Sequence, residues 1–135
     1  MRFFEVISLV RKNFIVDTGI RNMLLETSSP DLGHQLENIV YLELLRRGCQ
    51  VSIGKLAEQE LDFVTRGSHG DDSDSMIYYQ VAASVMDPAT LARELSSLQR
   101  IKDNHPKYLL TMDDIPARAN YNGIVQRYLI NWLLE

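Results

Sequence analysis

The chain reads as an α/β domain with a mixed central sheet flanked by helices. Three observations predict this. Residues 31–47 carry apolar side chains at helical spacing, residues 61–64 and 76–82 form two β-rich runs around a polar loop, and a second helical stripe after Asp87 is followed by a β-rich run at 107–112. The two runs around the loop make an antiparallel hairpin, whereas a strand reached through a helix runs parallel to the one before it. At 135 residues and 45% hydrophobic, the chain is expected to be a single domain, 1–135, with a sizeable core.

Taken in order, residues 3–10 (FFEVISLV) are β-rich with imperfect alternation, so residues 1–13 read as a tail or a remnant strand of a preceding domain. Phe14-Ile15-Val16 suits a short buried strand, and Asp17-Thr18-Gly19 a turn, since Asp can bond the local backbone and Gly can take positive φ. Residues 20–25 suit one or two helical turns, residues 27–30 a connector, and Asp31 the N-cap of the helix that follows. In that helix Leu32, Leu36, Ile39, Val40 and Leu44 fall within an arc of about 140°. Arg46, Arg47 and Gly48 then give a basic last turn and a stop. Glu37 stands at the edge of the apolar arc and Glu43 inside it. Cys49 reads as a small buried hydrophobe.

Val51-Ser52-Ile53 is a short strand and residues 54–60 a polar turn. Strict alternation in 61–64 puts Asp62 and Val64 on one face, Leu61 and Phe63 on the other. Residues 66–75 (RGSHGDDSDS) read as a solvated hairpin tip, because Asp71, Asp72 and Asp74 lack the sharp-turn glycine and distal Glu of a calcium loop. Strand 76–82 presents Tyr78, Gln80 and Ala82 on one face and Ile77, Tyr79 and Val81 on the other. Asp87-Pro88 opens the second helix, whose Leu91, Leu95, Leu98 and Ile101 form a stripe ending near Asn104. A strand at 107–112, a turn at 113–116, a loop at 117–123, a short strand at 124–125 and a terminal helix at 128–134 that packs Trp132 complete the chain.

The formal charge of −4 and pI near 5.3 argue against a surface built uniformly for nucleic acid. They leave room for a local basic patch, for which the candidates are Arg46 and Arg47 after the first helix and Arg93, Arg100, Lys102 and Lys107 around the second. One cysteine excludes an internal disulfide and three scattered histidines offer no zinc-ligand spacing, which points to a reducing cytoplasm. No run approaches the roughly 18 apolar residues of a membrane span, so no membrane partner is expected.

The order of polar residues is the chemically informative feature: Glu37 on a helix, Asp62 on one strand of a hairpin, Gln80 on the next. Two carboxylates and an amide oxygen are hard oxygen donors of the kind Mg²⁺ takes, and phosphodiester cleavage needs such an ion to activate water and offset charge at phosphorus. In this order the chain resembles the restriction-endonuclease-like superfamily with its PD-(D/E)XK motif, and Gly33-His34-Gln35-Leu36-Glu37 resembles the Gly-x-x-x-Glu helix start of its resolvase-type members. A longer signature, Val16-Asp17-Thr18-Gly19-Ile20-Arg21-Asn22 with residues 33–44, Glu60-Leu61-Asp62-Phe63-Val64 and Gln80-Val81, is similar to the DUF4143 domain over residues 14–134. That domain follows the motor and winged-helix parts of a family of archaeal and bacterial AAA-type ATPases. The resemblance implies a nuclease-like fold, catalytic and metal positions at Glu37, Asp62 and Gln80, Mg²⁺ as cofactor, and DNA or an AAA-type ATPase module as partner.

Two departures qualify it. The chain has no Gly-x-x-x-x-Gly-Lys-(Ser/Thr) loop, so it is not an ATPase by that route. The third motif reads Gln80-Val81-Ala82, with Gln for the acid and Ala for the lysine. A neutral ligand weakens a cation site, and loss of the lysine removes the charge that would position water or steady the transition state. Arg93 or Lys107 would have to stand in. Three readings follow: a degenerate nuclease-fold domain that binds nucleic acid or a protein, a Mg²⁺-dependent DNA endonuclease, and a plain hydrogen-bonded Asp62–Gln80 pair closing the hairpin.

Overall fold

The computed structural model describes residues 5–6, 32–56, 58–68, 71–115 and 118–135. The strand, turn, helical turns and Asp31 cap expected across residues 14–31 lie outside the described residues. Of the run at 3–10, Glu5–Val6 is described, as strand β1. Helix α1 is Leu32–Arg46, β2 is Gln50–Leu56, β3 is Gln59–Ser68 and β4 is Asp71–Ala82. Helix α2 is Pro88–Gln99, followed by β5 at Lys107–Thr111, β6 at Ala119–Tyr121, β7 at Ile124–Tyr128 and α3 at Leu129–Leu133. The strands make one mixed sheet in the order β1-β2-β3-β4-β5-β7-β6. Strands β1 to β4 pair antiparallel, β4–β5 and β5–β7 are parallel, and β6 returns antiparallel to β7.

The two long helices cover opposite faces of this sheet. Leu36, Val40 and Leu44 of α1 pack with Phe63, Tyr79, Val81, Leu110 and the α3 residues Leu129 and Trp132. Leu95 and Leu98 of α2 pack with Leu61, Val64, Tyr78, Ala82, Leu109 and Ile124. The alternation expected along β4 is therefore observed: Tyr78 and Ala82 face α2, Tyr79 and Val81 face α1. In β3 it is not. Leu61 and Val64 share the α2 face although they are three residues apart, because the register with β2 slips between Ser52 and Gly54: Val64 pairs Ser52, yet Leu61 pairs Gly54. A bulge of this kind sets two residues of one strand against one of its partner and turns the bulged strand's side chains.

Several boundaries differ from those expected. β2 runs on to Leu56 and β3 starts at Gln59, so the turn at 54–60 is far shorter. The hairpin tip at 66–75 is mostly strand, since β3 reaches Ser68 and β4 begins at Asp71. Long paired strands satisfy backbone groups that a ten-residue loop would leave to water. Helix α2 ends at Gln99 rather than near Asn104, and Ile101 is nonetheless buried. The expected loop at 117–123 contains β6, joined to β7 by Asn122-Gly123 with φ of 52° and 95°. Two positive φ values are what a two-residue hairpin turn demands, and Asn-Gly supplies them.

The Asp87 cap works as expected: its Oδ2 accepts the Thr90 N–H at 3.0 Å, with Pro88 at the first helical position. The α1 C-terminus and α3 lock together through Glu43. Its carboxylate accepts from Arg46 at 2.6 and 2.7 Å and from Arg47 at 2.7 Å. Arg47 in turn donates to the Trp132 carbonyl at 2.6 Å and lies 4.2 Å from the centre of the Trp132 ring. Tyr79 meets that ring edge-on at 5.7 Å, a geometry that adds about 0.5–1.5 kcal/mol beyond buried area. This explains a Glu inside an apolar arc. Among the described residues no helix is long and apolar enough to cross a membrane.

The Arg46 and Arg47 guanidiniums hold the Glu43 carboxyl down to about 2. A carboxyl depressed on folding contributes stability that is present above its unfolded value and lost as pH falls toward the folded one. Glu43→Gln is expected to lose about 1–2 kcal/mol at pH 7 and to flatten the loss of stability between pH 4.5 and 2. Urea unfolding of both proteins at pH 7 and pH 3 checks this; an equal difference at the two pH values would contradict it.

Candidate functional site

The hairpin β3–β4 pairs backbone to backbone from Arg66 and Met76 to Phe63 and Tyr79. One residue further on, side chains take over. The Asp62 N–H donates to Gln80 Oε1 at 3.2 Å, and the Val81 N–H donates to Asp62 Oδ2 at 2.9 Å. Both residues are buried, Asp62 at 6% and Gln80 at 8% exposure. The Gln80 side chain continues toward α2, where its Nε2 donates to Glu94 Oε2 at 2.9 Å, and the other Glu94 oxygen pairs Arg93 at 3.1 Å. Asp62, Gln80, Glu94 and Arg93 thus form one chain of contacts from the middle of the sheet to the surface of α2.

The remaining candidates lie in different places. Glu37 belongs to α1, on the opposite face of the sheet from the Gln80–Glu94 pair, with its carboxylate 3.9 Å from His34 Nδ1. Ala82 is buried in the α2-side cluster with Val85 and Leu95. Lys107 stands two pairs back along β5, opposite Tyr78. Its ammonium donates to the Asp103 carbonyl at 2.8 Å, to Asp103 Oδ1 at 3.2 Å and to the His105 carbonyl at 3.1 Å. Arg46 and Arg47 are held by Glu43, whereas Arg100 and Lys102 are exposed beyond the end of α2. Cys49 is half-buried beside Val51, and burial pushes its thiol up, which disfavours the nucleophilic form.

Glu94 is the site residue that the sequence reading missed. It stands three residues after Leu91 and four before Leu98, a spacing that sets a carboxylate at the edge of the apolar stripe and was readable as a signal. Asp113, which the sequence marks only as a turn residue, has a further role. It accepts from Ser84 Oγ at 2.7 Å and from the Val85 N–H at 2.8 Å, which fixes the chain leaving β4. One strand further, Gln126 donates to Thr111 Oγ1 at 3.1 Å and accepts from the Tyr121 hydroxyl at 3.0 Å. The carboxyl ends of the parallel strands therefore carry hydrogen-bonded polar side chains on the α2 face. Among the described residues no group of three or more His, Cys, Asp or Glu is arranged to hold a metal ion.

Two substitutions separate charge from hydrogen bonding here. Asp62→Asn keeps an oxygen for the Val81 N–H and is expected to cost well under the ~1–3 kcal/mol of Asp62→Ala, which leaves that buried N–H without its acceptor. Gln80→Glu sets a second carboxylate against Glu94 and is expected to destabilise by about 1–2 kcal/mol at pH 7. Like-charge contact raises the folded carboxyl above its unfolded value, so the deficit is absent below about pH 4 and grows as pH rises. Thermal melts of the variants at pH 7 and pH 4, with Glu94→Gln as the compensating change, decide it; a Gln80→Glu defect untouched by Glu94→Gln would sink the argument.

The chain is 37% identical over 124 residues, 92% of its length, to a protein of Haemophilus influenzae that bears the name "Uncharacterized protein". It spans 29% of the length of that relative. No family model matches the chain. No solved structure matches it.

Proposed function

We propose that this chain is a nuclease-fold accessory domain with a degenerate active site, related to the C-terminal part of AAA-type ATPases, and that it acts in the cytoplasm by binding nucleic acid or a protein partner. The observation that carries the reading is the use to which Asp62 and Gln80 are put. Each offers an oxygen to a backbone N–H, and the Gln80 amide hydrogens face Glu94. This donor set does not suit Mg²⁺, which demands oxygen donors directed at one point in near-octahedral geometry. Glu37 stands on α1, which covers the face of the sheet opposite α2, and Ala82 supplies no charge.

The restriction-endonuclease-like part of the proposal is supported by element order: a helix with Glu37, an antiparallel hairpin with Asp62 and Gln80 on its two strands, then a helix and a parallel strand. The longer relative supports the accessory part, since a segment matching 29% of a protein leaves ample length for other modules. The two candidate cations are engaged by other acids: Arg93 by Glu94 and Lys107 by Asp103.

The experiment is nicking of supercoiled DNA with Mg²⁺ or Mn²⁺, alongside calorimetry of each ion, for wild type and Asp62→Ala. The expected outcome is no cleavage and no heat that depends on Asp62. Cleavage abolished by Asp62→Ala, together with ion binding lost in the same variant, would instead establish a divalent-metal endonuclease.

A further inference from the structure

We infer that the cleft at the carboxyl end of β7 is a binding site for a small organic acid, and that the Glu135 side chain holds the place of the ligand's carboxylate. Arg127 and Arg118 bring the positive charge to this cleft, Glu135 the negative, and the half-buried Ile115 and Tyr128 and the exposed Asn131 complete its walls. Its free volume, beside the Glu135 carboxylate, is about 230 Å³. The carboxyl ends of parallel strands are where open α/β sheets place their ligands.

The two partners are held very unequally. Arg127 lies within β7, in register with Leu110 of β5, and its guanidinium is 5.7 Å from the centre of the Tyr108 ring. Only 9% of its side chain is exposed. A guanidinium keeps its charge at every physiological pH, and a buried charge left unpaired is strongly destabilising, so Arg127 needs an anion at this position. Glu135 supplies it from a weak tether. The Leu134 N–H is fixed by the Ile130 and Asn131 carbonyls at 3.2 Å, but the Glu135 N–H reaches the Trp132 carbonyl only at 3.4 Å, where Arg47 already donates at 2.6 Å. Leu134 is 80% exposed and offers no apolar anchor. The place of Glu135 therefore rests on its carboxylate. The Arg127 guanidinium foremost, against a smaller effect of burial, and then Arg118 and Arg47 hold that carboxyl below its ordinary value.

The pairing also leaves binding capacity unused. Glu135 Oε1 faces both arginines, 3.6 Å from Arg118 and hydrogen-bonded to Arg127, so one oxygen serves two guanidiniums. An arginine fork takes both oxygens of a carboxylate in parallel hydrogen bonds when the carboxylate is free to align. A free acid can adopt that alignment, whereas the Glu135 carboxylate is restricted by its own backbone. The free volume is below the ~300–1,000 Å³ of drug-sized sites, which limits the ligand to a few carbon atoms. With Glu135 displaced the cleft carries two positive charges, which favours a dicarboxylate over a single acid group. The cleft shares no residue with the Asp62–Gln80–Glu94 contacts, so its ligand is independent of the nuclease-fold reading.

The test is calorimetric titration of the whole chain at low salt with succinate, with inorganic phosphate, and with succinamide as the uncharged control. A site filled for part of the time by its own chain shows an apparent affinity reduced by that fraction, so Glu135→Gln should bind succinate about fivefold or more tightly than wild type. Adding Arg118→Gln to Glu135→Gln should weaken binding about threefold or more, and adding Arg127→Lys, which keeps the charge but removes the fork, should weaken it about tenfold or more. Melting curves show which variants fold; Arg118 is 65% exposed, so its substitution keeps the test decisive even where Arg127→Lys does not fold. Equal affinity of wild type and Glu135→Gln, succinamide binding as tightly as succinate, or no heat from Glu135→Gln with millimolar succinate overturns the inference. Tighter binding of phosphate than of succinate overturns the assignment to an organic acid.

Discussion

The way β3 parts from β4 fixes the middle of this protein. β4 is the central strand of the sheet, and its backbone pairing with β3 ends at Phe63 and Tyr79. Beyond that point two buried N–H groups, those of Asp62 and Val81, need acceptors that the ladder no longer supplies. Each would cost about 1–3 kcal/mol if left unmet, so the Asp62 and Gln80 side chains act as an extension of the sheet. Gln80 also contacts Glu94, which ties α2 to the same point. The bulge opposite Ile53 belongs to this arrangement, since it places Leu61 and Val64 together under α2 while Phe63 remains with α1.

Charge is handled by local neutralisation at several places in the fold. Glu43 meets Arg46 and Arg47, Asp103 meets Lys107, Glu94 meets Arg93, and Glu135 meets Arg127 and Arg118. In each case one acid is matched by cations near in sequence or brought close by β7 and its following helix. Such pairing engages six of the ten described basic residues, Arg46, Arg47, Arg93, Lys107, Arg118 and Arg127. It also gives each pair a structural task. Arg47 binds the Trp132 carbonyl and covers its ring, so a pair within α1 reaches the helix that closes the α1 face.

The legible part of the fold was the part governed by period and punctuation. Helix α1, the Asp87-Pro88 start of α2, the alternation of β4 and the parallel return at Lys107 follow from spacing that tertiary structure had no reason to override. Strict alternation failed in β3 because a bulge depends on the partner strand, which no single stretch of sequence specifies. Strand lengths around residues 54–60 and 66–75 were underestimated because polar residues on paired strands look the same as polar residues in loops. β6 was the avoidable miss: Asn122-Gly123 is a strong hairpin signal, and the tyrosine before it faces the isoleucine after it. At the site, Asp62 and Gln80 were legible as costly polar residues in a core. Their mutual contacts were not, because a hydrogen bond between side chain and backbone across two strands leaves no periodic trace.

The same contacts explain how the residues at positions 80, 82 and 94 are mutually consistent. Glu94 lies within hydrogen-bond reach of the Gln80 amide, so a neutral donor at position 80 satisfies it directly. An acid at 80 would face Glu94 with like charge and would need a cation between them. The position best placed along β4 to supply one is 82, where the side chain is a methyl group packed against Val85 and Leu95. Given Ala82, an amide at 80 is therefore the solution that leaves the carboxylates of Asp62 and Glu94 each with a partner. The aspartate at 62 then has a structural role of its own, as acceptor of the Val81 N–H.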